Sequence, residues 1–399
     1  MKKKAILAFS GGLDTSYCVK YLSSEKNLEV YSITVNTGGF SEDELNKIKA
    51  TAELLGVTKH INIDKTEDFY WQCLRYLVYG NILKNGTYPL SVSAERVFQA
   101  VAIARYAKEI NADYIAHGST GAGNDQVRFD MIFSIIIPDI EILTPIRDQK
   151  LSRQEEIEYL AGHGIKMDWK KLQYSINQGL WGTTIGGRET LTSNLALPEE
   201  AYPGKVSGKK TQNLKLNFIN GQIAGINNEK FKSPVQAIQT LNRLGEKFGI
   251  GRDIHVGDTI IGIKGRVAFE APAPILLINA HRALEKHTLT KWQIYWKDQL
   301  SGWYGMMLHE GQFLDPVMRD IEVYLENSQK QVSGEVLLSL HPYYYRIQGI
   351  ESKHDLMNAR FGSYGEENLA WNGNDVRGFA KITANQSRIY HSVNETEFK

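Results

Sequence analysis

Residues 10–16 read Ser-Gly-Gly-Leu-Asp-Thr-Ser, and their types suit one task, the holding of phosphates. Two glycines let backbone N–H groups approach an anion closely, and Ser10, Thr15 and Ser16 offer hydroxyl donors. Asp14 is the discordant member, because a carboxylate repels a neighbouring phosphate; a bridging Mg²⁺, which takes hard oxygen ligands, removes the conflict. The plainer alternative is an ordinary tight turn of an α/β sheet. The stretch lacks the Gly-Lys-Ser/Thr ending of a Walker A loop. A second dense stretch, His117-Gly-Ser-Thr-Gly-Ala-Gly-Asn-Asp-Gln-Val-Arg-Phe129, suits an amino acid. Thr120 and Asn124 can bind a carboxylate, Asp125 can hold an ammonium group, and Arg128 can make a bidentate pair with a second carboxylate. Its plainer alternative is a surface loop in which Asp125 and Arg128 pair with each other.

Such groups need a scaffold. Ala5 to Phe9 is an unbroken apolar run, which predicts a buried strand, and Asp14, Thr15 and Ser16 are the residue types that cap a helix. Tyr17, Cys18, Tyr21 and Leu22 follow at helical spacing. Strand, glycine loop and helix N-terminus make an anion site, since the first turn has unpaired N–H groups and a favourable dipole. The chain then alternates. Strands are expected at Glu29–Val35, Thr58–Ile63, Asp113–Ala116 and Ile142–Ile146. Helices are expected after Ser41, with Glu44 completing a capping box, and over Thr66–Leu83, Ala94–Ile110 and Ser152–His163. This predicts a doubly wound parallel sheet with ligands beyond the carboxyl ends of its strands, where Ser10, Val35–Gly38 and His117–Gly118 converge.

From about Lys166 the alternation stops and an α+β domain is expected. Asn220-Gly221 marks a hairpin within Leu214–Ile226, Asp258–Phe269 reads as another, and Val332–Leu340 with Tyr343–Ile350 as an antiparallel pair. Ser233-Pro-Val-Gln236 reads as a capping box opening a helix to Gly249, with further helices at Pro274–Lys286 and Leu289–Met307. The Tyr343–Tyr345 run reads as a strand face or subunit contact in preference to a base-stacking platform. His281 and His287 have no second Cys or acid at metal spacing, so zinc is not expected.

Bulk properties narrow the class. At 399 residues, with 42% hydrophobic and 23% charged residues, two globular domains are the default. A net charge of +1 provides no general field for nucleic acid or membrane. Two cysteines, Cys18 and Cys73, make no disulfide framework, which suits a reduced compartment. Lys2–Lys4 precede an apolar run too short for a secretory core, and no stretch has membrane-spanning length, so a cytoplasmic protein is expected.

The loop at 10–16 resembles the Ser-Gly-Gly-x-Asp-Ser pyrophosphate loop of the ATP pyrophosphatases, with Thr15 in place of the first Ser. The resemblance implies cleavage of ATP between its α and β phosphates, adenylation of a substrate oxygen and release of pyrophosphate. With residues 117–129 added, the chain is similar to the argininosuccinate synthase family, strongly over residues 5 to about 190 and more patchily beyond. That family joins citrulline to aspartate with Mg-ATP, and its second domain and C-terminal extension build a homotetramer. The resemblance implies an ATP site at Ala8, Phe9, Ser10, Gly11, Gly12, Leu13, Asp14, Thr15, Ser16, the Val35 backbone and Gly118. It implies an aspartate site at Thr120, Asn124 and Asp125, and a citrulline site at Tyr88, Ser93, Asn124, Arg128, Ser175 and Thr184. Asp14, Asp125 and Arg128 become the residues nearest the chemistry, with Asp14 reaching the metal through Mg-pyrophosphate.

Departures cluster on the citrulline side. The usual Leu-Gly-Thr-Ser-Ile-Ala-Arg-Pro is here Leu90-Ser-Val-Ser-Ala-Glu-Arg-Val97. The usual Asp and Asn after Tyr174-Ser are Asn177 and Gly179, and Thr184 replaces a Ser. A family Glu and Tyr correspond to Gly257 and Phe269, leaving Asp258 or Glu270 as substitutes. The expected organisation is 1–165 for the nucleotide-binding domain, 166–365 for the synthetase domain and 366–399 for an oligomerisation tail. Alternatives are another pyrophosphate-loop enzyme acting on a different ureido or amide compound, or a non-catalytic ATP-binding regulator, which would need no amino-acid pocket. A tRNA-thiolating enzyme would require a basic surface and catalytic cysteines.

Overall fold

The apolar run expected as a strand is the centre of a five-stranded parallel sheet. The computed structural model describes residues 2–165, 167, 174–357 and 370–395. Strand β1 (Lys4–Ala8) buries Ala5, Ile6 and Leu7 completely, as an inner parallel strand covered on both faces must. It is followed by α1 (Leu13–Ser24), β2 (Glu29–Asn36), α2 (Glu42–Leu55) and β3 (Lys59–Asp64). The capping box at Ser41 and Glu44 forms as expected. The single helix expected over Thr66–Leu83 is instead α3 (Thr66–Phe69) and α4 (Arg75–Tyr79), joined by a π-helical turn at Tyr70–Leu74. Then come α5 (Ser91–Glu109), β4 (Tyr114–Ala116), α6 (Asp125–Ile136), β5 (Glu141–Leu143), α7 (Pro145–Gln149) and α8 (Arg153–Gly162). The strand order is β3-β2-β1-β4-β5, with every pairing parallel. Successive strands are added outward to β3 and then on the other side of β1, so the crevice at the carboxyl ends of β1 and β4 is the switch point where ligands sit.

The remaining chain is α+β. Strands β6 (Ser175–Asn177) and β7 (Thr183–Gly186) precede β8 (Gln212–Ile219), β9 (Gln222–Ile226) and β10 (Glu229–Lys230). Next are α9 (Pro234–Glu246), β11 (Arg252–Asp258), β12 (Lys264–Glu270), α10 (Pro272–Thr288), α11 (Lys291–His309) and α12 (Pro316–Ser328). Strands β13 (Gly334–His341) and β14 (Tyr344–Glu351) and helices α13 (Gly373–Thr383) and α14 (Asn385–Val393) complete the described chain. One sheet has the order β10-β9-β8-β13-β14 and the other β11-β12-β7-β6. The Asn220-Gly221 hairpin and the antiparallel β13–β14 pair form as read. At Ser233 only half the expected capping box exists: Ser233 Oγ accepts from Val235 N at 3.1 Å, while its hydroxyl donates to Glu67 Oε1. The second expected hairpin turns at 259–263, so its first strand runs up to Asp258 and does not start there. Helix α12 was unforeseen, although Asp315 caps it from just before Pro316. The expected boundaries at 166 and 366 fall outside the described residues.

Candidate active site

The glycine loop has the backbone its residues permit. Gly11 adopts φ +76°, a left-handed conformation that costs glycine little. Gly12 is the extended N-cap of α1, so Asp14 and Thr15 lie inside the first turn and do not cap it as expected. The hydroxyls organise the loop: Ser10 Oγ and Thr15 Oγ1 are 3.3 Å apart, and Thr15 Oγ1 donates to Gly12 O at 3.2 Å. Ser16 departs from expectation, since its hydroxyl is wholly buried without a partner and does not face the loop's cavity. Gly118 explains the close approach of the second loop, because a Cβ there would stand 3.2 Å from Thr15 Cγ2 and 3.3 Å from the Asp14 backbone.

Beneath the loop, Asp14 meets Glu156 of α8, with Arg153 nearby. Burial raises the Asp14 carboxyl, against the hydrogen bond from Glu156 and the Arg153 charge. Burial and then the Asp14 charge push Glu156 well above the carboxylate range. The pair therefore shares a proton. Folded chains keep a proton that unfolded chains release above 4.5, so this contribution to stability is full at low pH and declines as pH rises from there. Glu156→Gln is accordingly expected to melt with the parent at pH 5 and above it at pH 8.5; an equal offset at both would contradict the shared proton. Asp14 also lines the cavity, and one carboxylate beside phosphate oxygens is a common protein share of a Mg²⁺ site. No cluster of three His, Cys, Asp or Glu side chains suited to a metal occurs among the described residues. Asp14 thus fits a Mg²⁺ arriving on a nucleotide.

The second loop does not run on to Phe129 as a loop. Helix α6 begins at Asp125, and this places Asp125 and Arg128 on its first turn. Asp125 lines the cavity with both oxygens already engaged. Its Oδ1 accepts from Arg128 at 2.7 Å and its Oδ2 from Arg96 Nε at 3.0 Å. Burial would raise this carboxyl, but the two guanidinium groups outweigh it and hold it below the usual range. Arg128, nearly fully buried, is likewise engaged while lining the cavity. It donates to His309 O at 2.9 Å, to Ser93 Oγ at 3.0 Å and to Asp125. The pairing that sequence offered as the plain alternative therefore exists, but inside the cavity wall. Asn124 gives its carbonyl oxygen to Ile260 N at 2.8 Å, which ties α6 to the β11–β12 turn. Thr120 remains exposed at the rim.

Arg96 and His309 were not among the site residues expected from sequence. Arg96 joins Asp125 to Asn177 across 2.8 Å and so links the two domains. His309, at the end of α11, places Nδ1 3.0 Å from Ser93 Oγ. Burial, then the Arg128 charge, lower its pKa to about 3, so the ring is neutral. Tyr88 is buried, with Val92 N donating to its hydroxyl at 3.2 Å and its ring stacked on His255 at 5.2 Å. Ser175 and Thr184 enter from β6 and β7, and Gly257 and Asp258 from β11. The His255 ring fills the room that a side chain at Gly257 would take. Phe269 packs on Tyr88, and Asp258 lies at the rim, paired with Lys264 at 2.6 Å. Glu270 is not a substitute for the missing carboxylate: it is buried in a 2.8 Å pair with Arg252 and lies outside this cavity.

These groups surround a cavity of about 1270 Å³ that runs from the glycine loop, past Val35 and Gly118, to Arg128 and His309. A parallel sheet bearing a pyrophosphate-type loop at its switch point, closed by an α+β domain, defines a nucleotide-dependent enzyme of the adenylating class. The family model for the arginosuccinate synthase N-terminal HUP domain matches residues 4–166, and that for the arginosuccinate synthase C-terminal domain matches residues 174–390. The chain is 35% identical to argininosuccinate synthase of Methanocaldococcus jannaschii, covering 98% of each. It is 35% identical to the Xanthomonas campestris argininosuccinate synthase over 98% of this chain and 99% of that one. The Dictyoglomus thermophilum argininosuccinate synthase is 34% identical over 98% of both. The chain belongs to the argininosuccinate synthase family, which are ligases.

Proposed function

We propose that this chain joins citrulline to aspartate at the expense of ATP, in two steps within the one cavity. The observation that carries this reading is the convergence of the glycine loop, the Gly118 turn and the Ser93–Arg128–Asp125 cluster on a single space. In the first step the ureido oxygen of citrulline attacks the α-phosphorus, the bond to the bridging oxygen breaks, and pyrophosphate leaves towards Ser10–Thr15. Asp14 would hold a Mg²⁺ carried by the phosphates, which supplies charge neutralisation at the leaving group. In the second step the aspartate amine attacks the activated carbon, the carbon–oxygen bond to AMP breaks, and argininosuccinate is released. Asp125 does not serve as the base, because its two arginine partners disfavour protonation; the departing phosphate takes the proton. Positioning by Ser93, Thr184, Ser175, Asn124 and Thr120 provides most of the rate.

The reading includes the expected division at 1–165, 166–365 and 366–399, a cytoplasmic location and a homotetramer. No helix among the described residues is long and apolar enough to cross a membrane. Helices α13 and α14 bury no residue within the chain, and α11 exposes Trp292, Trp296 and Trp303, so all three have apolar surface for other copies. Light scattering on the full chain is expected to give four copies. The deciding assay is pyrophosphate release from Mg-ATP with each amino acid omitted in turn. Release is expected to need citrulline, with argininosuccinate formed only when aspartate is added. Release confined to another ureido or amide compound would keep the ATP chemistry and replace the substrate.

A further inference from the structure

Between the glycine loop and the citrulline side lies an acid that the steps above leave unused. Glu95 stands on α5 next to Arg96, nearly fully buried, yet it borders the active cavity. Two loops meet above it. The turn after β2 brings Thr37 and Gly39, and the segment between β6 and β7 brings Gln178, Gly179, Leu180 and Trp181. They touch at backbone distance, since a Cβ at Gly39 would stand 2.8 Å from Gly179 Cα. A Cβ at Gly179 would land on the Glu95 carboxyl itself. The Thr37 hydroxyl and the Leu180 and Trp181 backbone groups lie near enough to that carboxyl to act on its charge, and its Oε1 has no hydrogen-bond partner. The second loop is itself anchored: Trp181 Nε1 donates to Pro89 O at 2.9 Å and Leu180 O accepts from Asn242 at 2.9 Å.

We propose that Glu95 is a positioning residue of the active site: its carboxyl occupies the room of a side chain at position 179, at the point where the nucleotide-side loop at Thr37 meets the ureido-side loop at Leu180 and Trp181. This rests on the reading of the cavity given above. Glycine at 179 and glutamate at 95 are then one device, each requiring the other. Burial keeps the acid neutral by raising its pKa to about 8, against the lowering effects of Arg96, the Trp181 backbone and Thr37. A neutral carboxyl both donates and accepts, so it can hold a hydroxyl and a backbone group at once. A carboxamide of the same shape can do the same.

The test compares Glu95→Ala, Glu95→Gln, Gly179→Ala and the double Glu95→Ala/Gly179→Ala variant in the full chain. Glu95→Ala is expected to raise KM for both ATP and citrulline about tenfold, with KM for aspartate unmoved. Glu95→Gln should stay within about twofold of the parent, because it keeps the volume and the donor and acceptor capacity of a neutral carboxyl. Gly179→Ala should copy Glu95→Ala, because its methyl expels the carboxyl, and the double variant should be no worse than either single one. A merely structural acid would lower kcat through loss of folded enzyme and leave all three KM values alone, and that result overturns the proposal. Losses that multiply in the double variant also overturn it. If Glu95→Ala fails to fold, parental KM values in Gly179→Ala do so instead. Calorimetric binding of a non-hydrolysable ATP analogue separates the two readings. A citrulline-inactive parent whose analogue affinity still falls in Glu95→Ala and Gly179→Ala refutes the substrate and keeps the positioning role.

Discussion

Replacing Arg128 by Met is expected to lower kcat/KM for argininosuccinate formation by about 10²–10³-fold or more, the effect of stranding the partners of a buried charge. Arg128 connects three elements: Asp125 on its own helix, Ser93 on α5 and His309 at the end of α11. Methionine fills much of the volume but supplies no donor. Asp125 would then rely on Arg96 alone, and the Ser93 hydroxyl and the His309 carbonyl would lose a charged partner. Because Asp125 keeps partial contact with solvent, we expect more loss of activity than of stability. Lysine at 128 should recover little, since a point charge cannot reproduce three divergent N–H bonds. Steady-state kinetics beside a thermal melt decides the matter: a folded Met variant with activity within tenfold of the parent would show that the hub does not position the reactants.

The second large effect is one of stability. Lys297 on α11 is completely enclosed and lies 3.1 Å from Glu285 of α10, which is also buried. Glu285 further accepts from Gln329 at 3.0 Å and from Asn81. His281 completes the group, bonded to Asn81 Oδ1 at 2.7 Å and Gln329 Oε1 at 2.8 Å. The network therefore ties the segment after α4 to α10, α11 and the turn after α12. Lys297→Met leaves Glu285 without its cation in a low-dielectric interior, a change that costs about 3–5 kcal/mol. Urea unfolding should reveal it as a lower midpoint, and adding Glu285→Gln should restore most of the loss, because the isolated charge is gone. A single variant within about 1 kcal/mol of the parent, or purely additive losses, would contradict this account.

What sequence determined on its own was local. The Ala5–Phe9 run, the Ser41–Glu44 capping box and the Asn220-Gly221 turn each lie within a few neighbouring residues, and propensity and hydrogen bonding at that range survive into the fold. The alternation of short strands and helices likewise sufficed for the parallel sheet, and its strand ends located the cavity. Sequence also supplied the residue types of both loops. It could not say how those residues would be spent. The unpaired state of Ser16, the commitment of Asn124 to Ile260 and the two arginines on Asp125 depend on what packs against them. His309 reaches Ser93 from 216 positions away, and no local pattern encodes such a meeting. The tertiary structure decided it, because burial fixes which polar groups must satisfy one another, and burial is a property of the whole chain.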